Sequence, residues 1–187
     1  EFGRAPDDID PASNPEPDEL YGPRDVAFDA EGNLWVTDTG FDRIVVFTRD
    51  GQHVRTIGAG EGPGEGQFDE PVGISIARDG TIFVADMFNA RVVMLNPDGS
   101  WRGAFAVEGW GGRGVTDKPY LAALSDGNVA VTVPSANTVR IYNRNGEVVE
   151  LLGSGASDFQ SPLGIAEGRG GIWVVESGNG RVREFAR

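Results

Sequence analysis

The chain has 187 residues, enough for one ordinary domain with a sizeable core, and its 28 glycines and 11 prolines favour many turns over long helices. With 16 basic and 29 acidic residues the formal charge is −13, which repels phosphate backbones and anionic lipid and argues against nucleic-acid binding and direct membrane insertion. There is no cysteine, which excludes disulfides and thiolate metal sites, and no apolar run approaches the length that spans a bilayer.

Residues 1–20 are acidic and proline-rich, and are predicted to be a linker or tail. The stretch from Asp8 to Glu19 places acids at positions 1, 3 and 12 of a calcium loop. It puts Ser13 where the sharp turn requires glycine, and it carries Pro11, Pro15 and Pro17, so the linker reading is preferred. From residue 21 onward the chain repeats itself. "GNLWVTDTGFDR" begins at Gly32 and "GTIFVADMFNAR" at Gly80, with looser echoes at Gly127 and Gly171. The turn glycines Gly32, Gly80, Gly127 and Gly170 are spaced by 48, 47 and 43 residues. Pro23, Pro71, Pro119 and Pro162 keep the same time, and self-similarity at this period signals a solenoid, propeller or array. Four units are expected, at about 21–58, 68–106, 116–153 and 159–187.

Inside each unit the code is strand, tight turn, strand. "DAEG", "ARDG" and "LSDG" separate the first two strands, and "RDG", "PDG" and "RNG" separate the third from the fourth. Each unit therefore reads as a four-stranded antiparallel meander, although the fourth runs out at "RVREFAR" after its third strand. Second strands are apolar on both faces. One column holds Trp35, Phe83, Ala130 and Trp173, while Leu34, Ile82, Val129 and Ile172 begin the opposite one. A sheet with one wet face would alternate apolar and polar residues, so these sheets must be covered on both sides by stacking on one another. First strands carry a small column, Ala27, Ser75, Ala123 and Ala166, as expected of innermost strands crowding a common axis. The predicted fold is all-β, a β-propeller of four-stranded antiparallel blades.

The spacing of "DG", an apolar strand, an acid, an asparagine and an arginine resembles the NHL repeat, a family of six-bladed propellers. "GAGEGPGEGQFDEPVGI" is similar to the linker between blades of bacterial exported propellers. The resemblance covers Pro23 to Arg187 and implies a periplasmic or extracellular setting. With four repeats seen, it also implies a partial, open or small ring. Family members include binding modules, lyases and lactonases, so fold alone does not choose among them.

Three of the units pair an acid with an arginine five residues on: Asp38 with Arg43, Asp86 with Arg91, Glu176 with Arg181. The third unit has Val133 and Thr138 instead. Acid and arginine are lost together, which points to a structural ion pair, because either charge alone at a half-buried strand end is costly. "GEGPGEG" has no lysine and leads into no helix, so it is an interblade linker rather than a phosphate loop. In the second long linker Trp110 and Arg113 stand among glycines and, with Phe41 and Phe88, are candidate anchors of a protein interface. An alternative is that Trp110 folds back to plug the groove between blades, as expected of Phe68 and Phe159.

The amidating lyases that the resemblance brings in use several histidines around zinc, whereas this chain has one, His53, on an outer strand. Lactonase-like relatives hold a divalent ion with carboxylates near the channel mouth. Here the positions flanking the axial column, Asp25, Gly73, Leu121 and Gly164, offer one carboxylate. The expectation is therefore a non-enzymatic scaffold that binds a protein partner or other subunits, or associates through its open blade edge. It has no catalytic residue, metal or cofactor assigned. The alternative is a metal-dependent hydrolase or lactonase with ligands in further blades.

Overall fold

The computed structural model describes residues 2–6, 15–111, 118–153 and 159–187. Fifteen strands fall into four sheets in strict chain order. Blade 1 comprises β1 (Pro23–Phe28), β2 (Leu34–Asp38), β3 (Arg43–Phe47) and β4 (His53–Ile57). Blade 2 comprises β5 (Pro71–Ile76), β6 (Ile82–Asp86), β7 (Arg91–Leu95) and β8 (Trp101–Ala106). Blade 3 comprises β9 (Leu121–Ala123), β10 (Val129–Val133), β11 (Thr138–Tyr142) and β12 (Val148–Leu152). Blade 4 has three strands, β13 (Pro162–Gly168), β14 (Gly171–Glu176) and β15 (Arg181–Ala186). Every neighbouring pair is antiparallel, as the two-to-five-residue turns require. The predicted meanders and the four-bladed arrangement are both present.

The register sorts side chains onto two faces of each blade. Trp35 lies opposite Val46, Phe83 opposite Met94 and Ala130 opposite Ile141, and these columns face the following blade. The seam between blades 1 and 2 buries Trp35, Ile44 and Val46 against Ile74, Ile82, Val84 and Val93. Between blades 2 and 3, Phe83, Ala85, Val92 and Met94 meet Val129, Val131 and Tyr142. Between blades 3 and 4, Ala130, Val139 and Ile141 meet Ile172 and Val174. Each fully buried side chain of this size contributes about 1.5–3 kcal/mol, so the seams outweigh anything a lone sheet could supply. Phe68 and Phe159, three residues ahead of Pro71 and Pro162, are buried in the first and third seams and plug them.

The innermost strands approach closely. A side chain on Gly73 would start 3.1 Å from the Tyr120 Cα, so the β5–β9 contact needs a residue without one. Polar groups stitch the same region. Thr37 donates its hydroxyl to the Val72 carbonyl (2.8 Å), Thr39 to the Pro71 carbonyl (2.7 Å), and Ser75 accepts the Ala123 N–H (3.0 Å).

Candidate functional site

The small axial column leaves room where four sheets converge. A cleft of about 420 Å³ is lined by the innermost strands of all four blades, among them Asp25, Ser75, Ala123 and Ala166, with Arg78 and Glu167 at its far end. The carboxylate the sequence placed beside the axis is therefore in the cleft wall. One Asp25 oxygen accepts the Val26 N–H and the other the Ile74 N–H of blade 2, each at 2.9 Å. Its own N–H is donated to Thr37 Oγ1 at 2.9 Å. Burial pushes the Asp25 carboxyl above its ordinary value, against the pull of the two N–H groups. Tyr120, on the approach to β9, has its phenol raised by burial first and by the Asp25 charge second. A half-buried carboxyl with a raised pKa at the wall of a cleft is a candidate acid–base group.

Tyr120 and Arg78 were not singled out from the sequence. Arg78 is the one basic residue in the turns "DAEG", "ARDG" and "LSDG", a signal visible only once those turns are known to border the axis. At the same end Glu167 accepts both the Ser125 N–H and its hydroxyl at 2.8 Å.

His53 sits on β4, exposed, with its ring nitrogen 3.0 Å from Thr56 Oγ1. Among the described residues no group of three or more His, Cys, Asp or Glu could hold a metal ion. The zinc that the amidating lyases imply does not fit the residues described.

The acid–arginine pairs lie at the opposite ends of the β2–β3, β6–β7 and β14–β15 turns. Arg43 donates to Asp38 at 2.7 Å, Arg91 to Asp86 at 2.7 Å and Arg181 to Glu176 at 3.0 Å, and all three carboxylates are fully buried. The second oxygen of Asp38 accepts the Tyr21 N–H (2.6 Å), and that of Asp86 the Asp69 N–H (2.7 Å). Arg91 continues to the carbonyls of Pro63 (2.5 Å) and Gln67 (2.9 Å), and Arg43 to that of Glu19 (2.5 Å). The first two pairs thus fasten the segment leading into the blade as well as bracing a hairpin, and the third braces its hairpin. Asn89 and Asn179 add side-chain donors to the same carboxylates at 2.9 and 2.6 Å. At Glu176 these donors and the arginine charges outweigh burial and hold the carboxyl below its ordinary value.

The proposed interface anchors are dispersed. Trp110 turns inward, donating its indole N–H to the Thr132 carbonyl (2.9 Å) and packing on the seam between blades 2 and 3. Arg113 lies outside the described residues. Phe41 is half-buried between Tyr21 and Arg43, and Phe88 lies under the Lys118 ammonium.

No family model matches the chain. Residues of the chain are 32% identical over 120 positions to the Protein brain tumor of Drosophila melanogaster, covering 60% of this chain and 11% of that protein. They are 32% identical over 152 positions to a probable peptidyl-α-hydroxyglycine α-amidating lyase of Caenorhabditis elegans, covering 78% of this chain and 41% of that protein. Virginiamycin B lyase from Staphylococcus aureus, solved with quinupristin, has the same fold at 20% identity. Its TM-score is 0.64, over 90% of this chain and 58% of that one. The repeats are NHL-type propeller blades. The NHL-type chain spans less than half the length of the curated relatives just named. One expectation is corrected by these relatives. The absence of a histidine cluster argued for a non-enzymatic scaffold, yet the relative matched over most of the chain is an amidating lyase. The lack of one metal set does not entail the lack of catalysis, and Asp25 places a carboxyl beside the axis. Among the described residues no helix is long and apolar enough to cross a membrane.

Proposed function

We propose that these blades form an enzyme-type propeller of the lyase class, binding a peptide-derived substrate in the axial cleft with Asp25 as its acid–base group. The observation that carries this is the Asp25 carboxyl, raised by burial, in the wall of a cleft that all four blades line. The 32% identity to an amidating lyase supports the reaction class. For a peptidyl-α-hydroxyglycine the balance is simple. Asp25 takes the hydroxyl proton, that oxygen's electron pair closes a carbonyl, the carbon–nitrogen bond breaks, and the proton passes to the departing amide nitrogen. Arg78 at the far end of the cleft offers a charge partner for a substrate carboxylate. A periplasmic or extracellular setting belongs to the same proposal, supported by the resemblance of the linker to those of exported propellers.

The test is release of peptide amide from a synthetic peptidyl-α-hydroxyglycine, with Asp25→Asn alongside. Turnover by the native chain that falls at least about 100-fold in the variant, at unchanged fold by circular dichroism, is expected. Chelator should leave the rate alone. No turnover by the native chain, or equal turnover by the variant, would overturn the assignment.

A further inference from the structure

The turns between the first and second strands of the blades share one register. The residue before the turn glycine is Glu31 in blade 1, Asp79 in blade 2 and Asp126 in blade 3. In blades 2 and 3 that acid closes the turn, Asp79 accepting the Thr81 N–H at 3.1 Å and Asp126 the Asn128 N–H at 3.0 Å. Blade 4 reverses the charge and puts Arg169 there, in a two-residue turn between the paired Gly168 and Gly171. A guanidinium cannot accept an N–H, so the local rule is broken, and such breaks are expected where function rather than folding selects the residue. Arg78, one position earlier in the turn of blade 2, is a second cation at this end.

Both arginines are exposed, and both line a cavity of about 660 Å³ bounded by the turns of blades 2, 3 and 4. Among the described residues every arginine except Arg24, Arg49, Arg78 and Arg169 is held by an ion pair or a hydrogen bond. Two of the four unheld guanidiniums thus share one cavity. The other charges of its wall are engaged already. Arg187 pairs with Asp126 at 2.9 Å and with Glu150 at 3.2 Å, and Glu167 accepts the Ser125 N–H and hydroxyl. Glycines complete the lining and no apolar side chain joins it, which suits a small polar ligand.

We propose that this cavity is a site for a small dianion, a phosphate group or a dicarboxylate, held between Arg78 and Arg169. A guanidinium fork matches the oxygens of either group, and two unheld cations from different blades match two negative charges. The net charge of −13 repels anions from the rest of the surface, so the affinity comes from these side chains. Arg78 also borders the axial cleft, whereas Arg169 lines only the outer cavity, so the two sites can be told apart.

The test is calorimetric titration of the native chain with inorganic phosphate and with succinate, acetate serving as the monoanion, at constant ionic strength. Saturable binding of one dianion per chain is expected, with a Kd of about 1 mM or tighter and acetate at least about tenfold weaker. Arg169→Gln and Arg78→Gln should each weaken binding at least about tenfold with the fold kept, since both side chains are exposed. Arg49→Gln, an equally exposed and unheld arginine in the β3–β4 turn, should leave it unchanged. Binding of phosphate alone assigns a phosphate group, of succinate alone a dicarboxylate, and of both a general dianion site. Neither dianion binding, acetate binding as tightly, an Arg169→Gln titration like the native one, or an equal loss in Arg49→Gln would overturn the proposal. Release of peptide amide plays no part in this readout, so the lyase assignment and the dianion site can fail separately.

Discussion

Asp42 closes the turn of blade 1 with φ 50°, and its side chain accepts the Glu70 N–H from the incoming strand of blade 2 at 2.8 Å. Asn137 does the same in blade 3 with φ 52°, accepting the Ser161 N–H at 2.9 Å. Asparagine tolerates the left-handed conformation and carries no charge. Asp42 carries one among Asp69, Glu61 and Glu70, and burial first, then those like charges, push its carboxyl up to about 6 despite the Glu70 N–H. Between the ordinary carboxylate value and about 6 the folded chain holds a proton that the unfolded chain has lost, so stability falls as pH rises through that window and is level above it. Asp42→Asn should therefore raise the melting temperature at pH 7.5 by about 3 °C, or about 1 kcal/mol after screening is allowed for, and leave it unchanged near pH 4. A variant equally stabilised or destabilised at both pH values would show that charge is not the cause.

The turn between the second and third strands of a blade does more than reverse the chain. In blades 1 and 2 the acid at its start and the arginine at its end hold the segment that leads into the blade. Asp86 shows this most fully, with one oxygen on the Asp69 N–H and the other shared by Asn89 and Arg91. Asp86→Ala would remove the acceptor of the Asp69 N–H, the Asn89 amide and Arg91 Nε, and the charge that balances the guanidinium, and should cost about 3 kcal/mol in chemical denaturation. If stability were unchanged and substrate binding lost, the pair would belong to the site rather than the frame. Blade 3 records what happens without the pair: the Thr138 hydroxyl, standing where the arginine would be, is the one buried side-chain polar atom without a partner among the described residues. The spacing of these pairs was legible because both members lie within one hairpin. Their grip on the linker was not, since it runs to backbone groups 17 to 28 residues away whose approach depends on how the blades stack. The same limit hid the second role of Asp25, whose partner, the Ile74 N–H, is 49 residues distant.

At the scale of the molecule, the columns read from the sequence mattered most. Two-sided apolar strands required stacking, small residues on the first strands required an axis, and the seams are built from those same columns. Function was less legible. An inventory of metal ligands pointed away from catalysis, while the relative matched over 78% of the chain is a lyase and the axial cleft holds a carboxyl raised by burial. What makes a shared cleft possible is that no blade is stable without its neighbours, and this can be measured directly. Phe83, fully buried in the seam between blades 2 and 3, should cost about 4 kcal/mol on truncation to alanine. Native-state amide exchange of Phe83→Ala should show faster exchange in β10 of blade 3 as well as in β6 and β7, as nearest-neighbour coupling demands. Exchange that quickens in blade 2 alone, with β10 as protected as before, would mean that the blades stand independently and would contradict the stacked propeller.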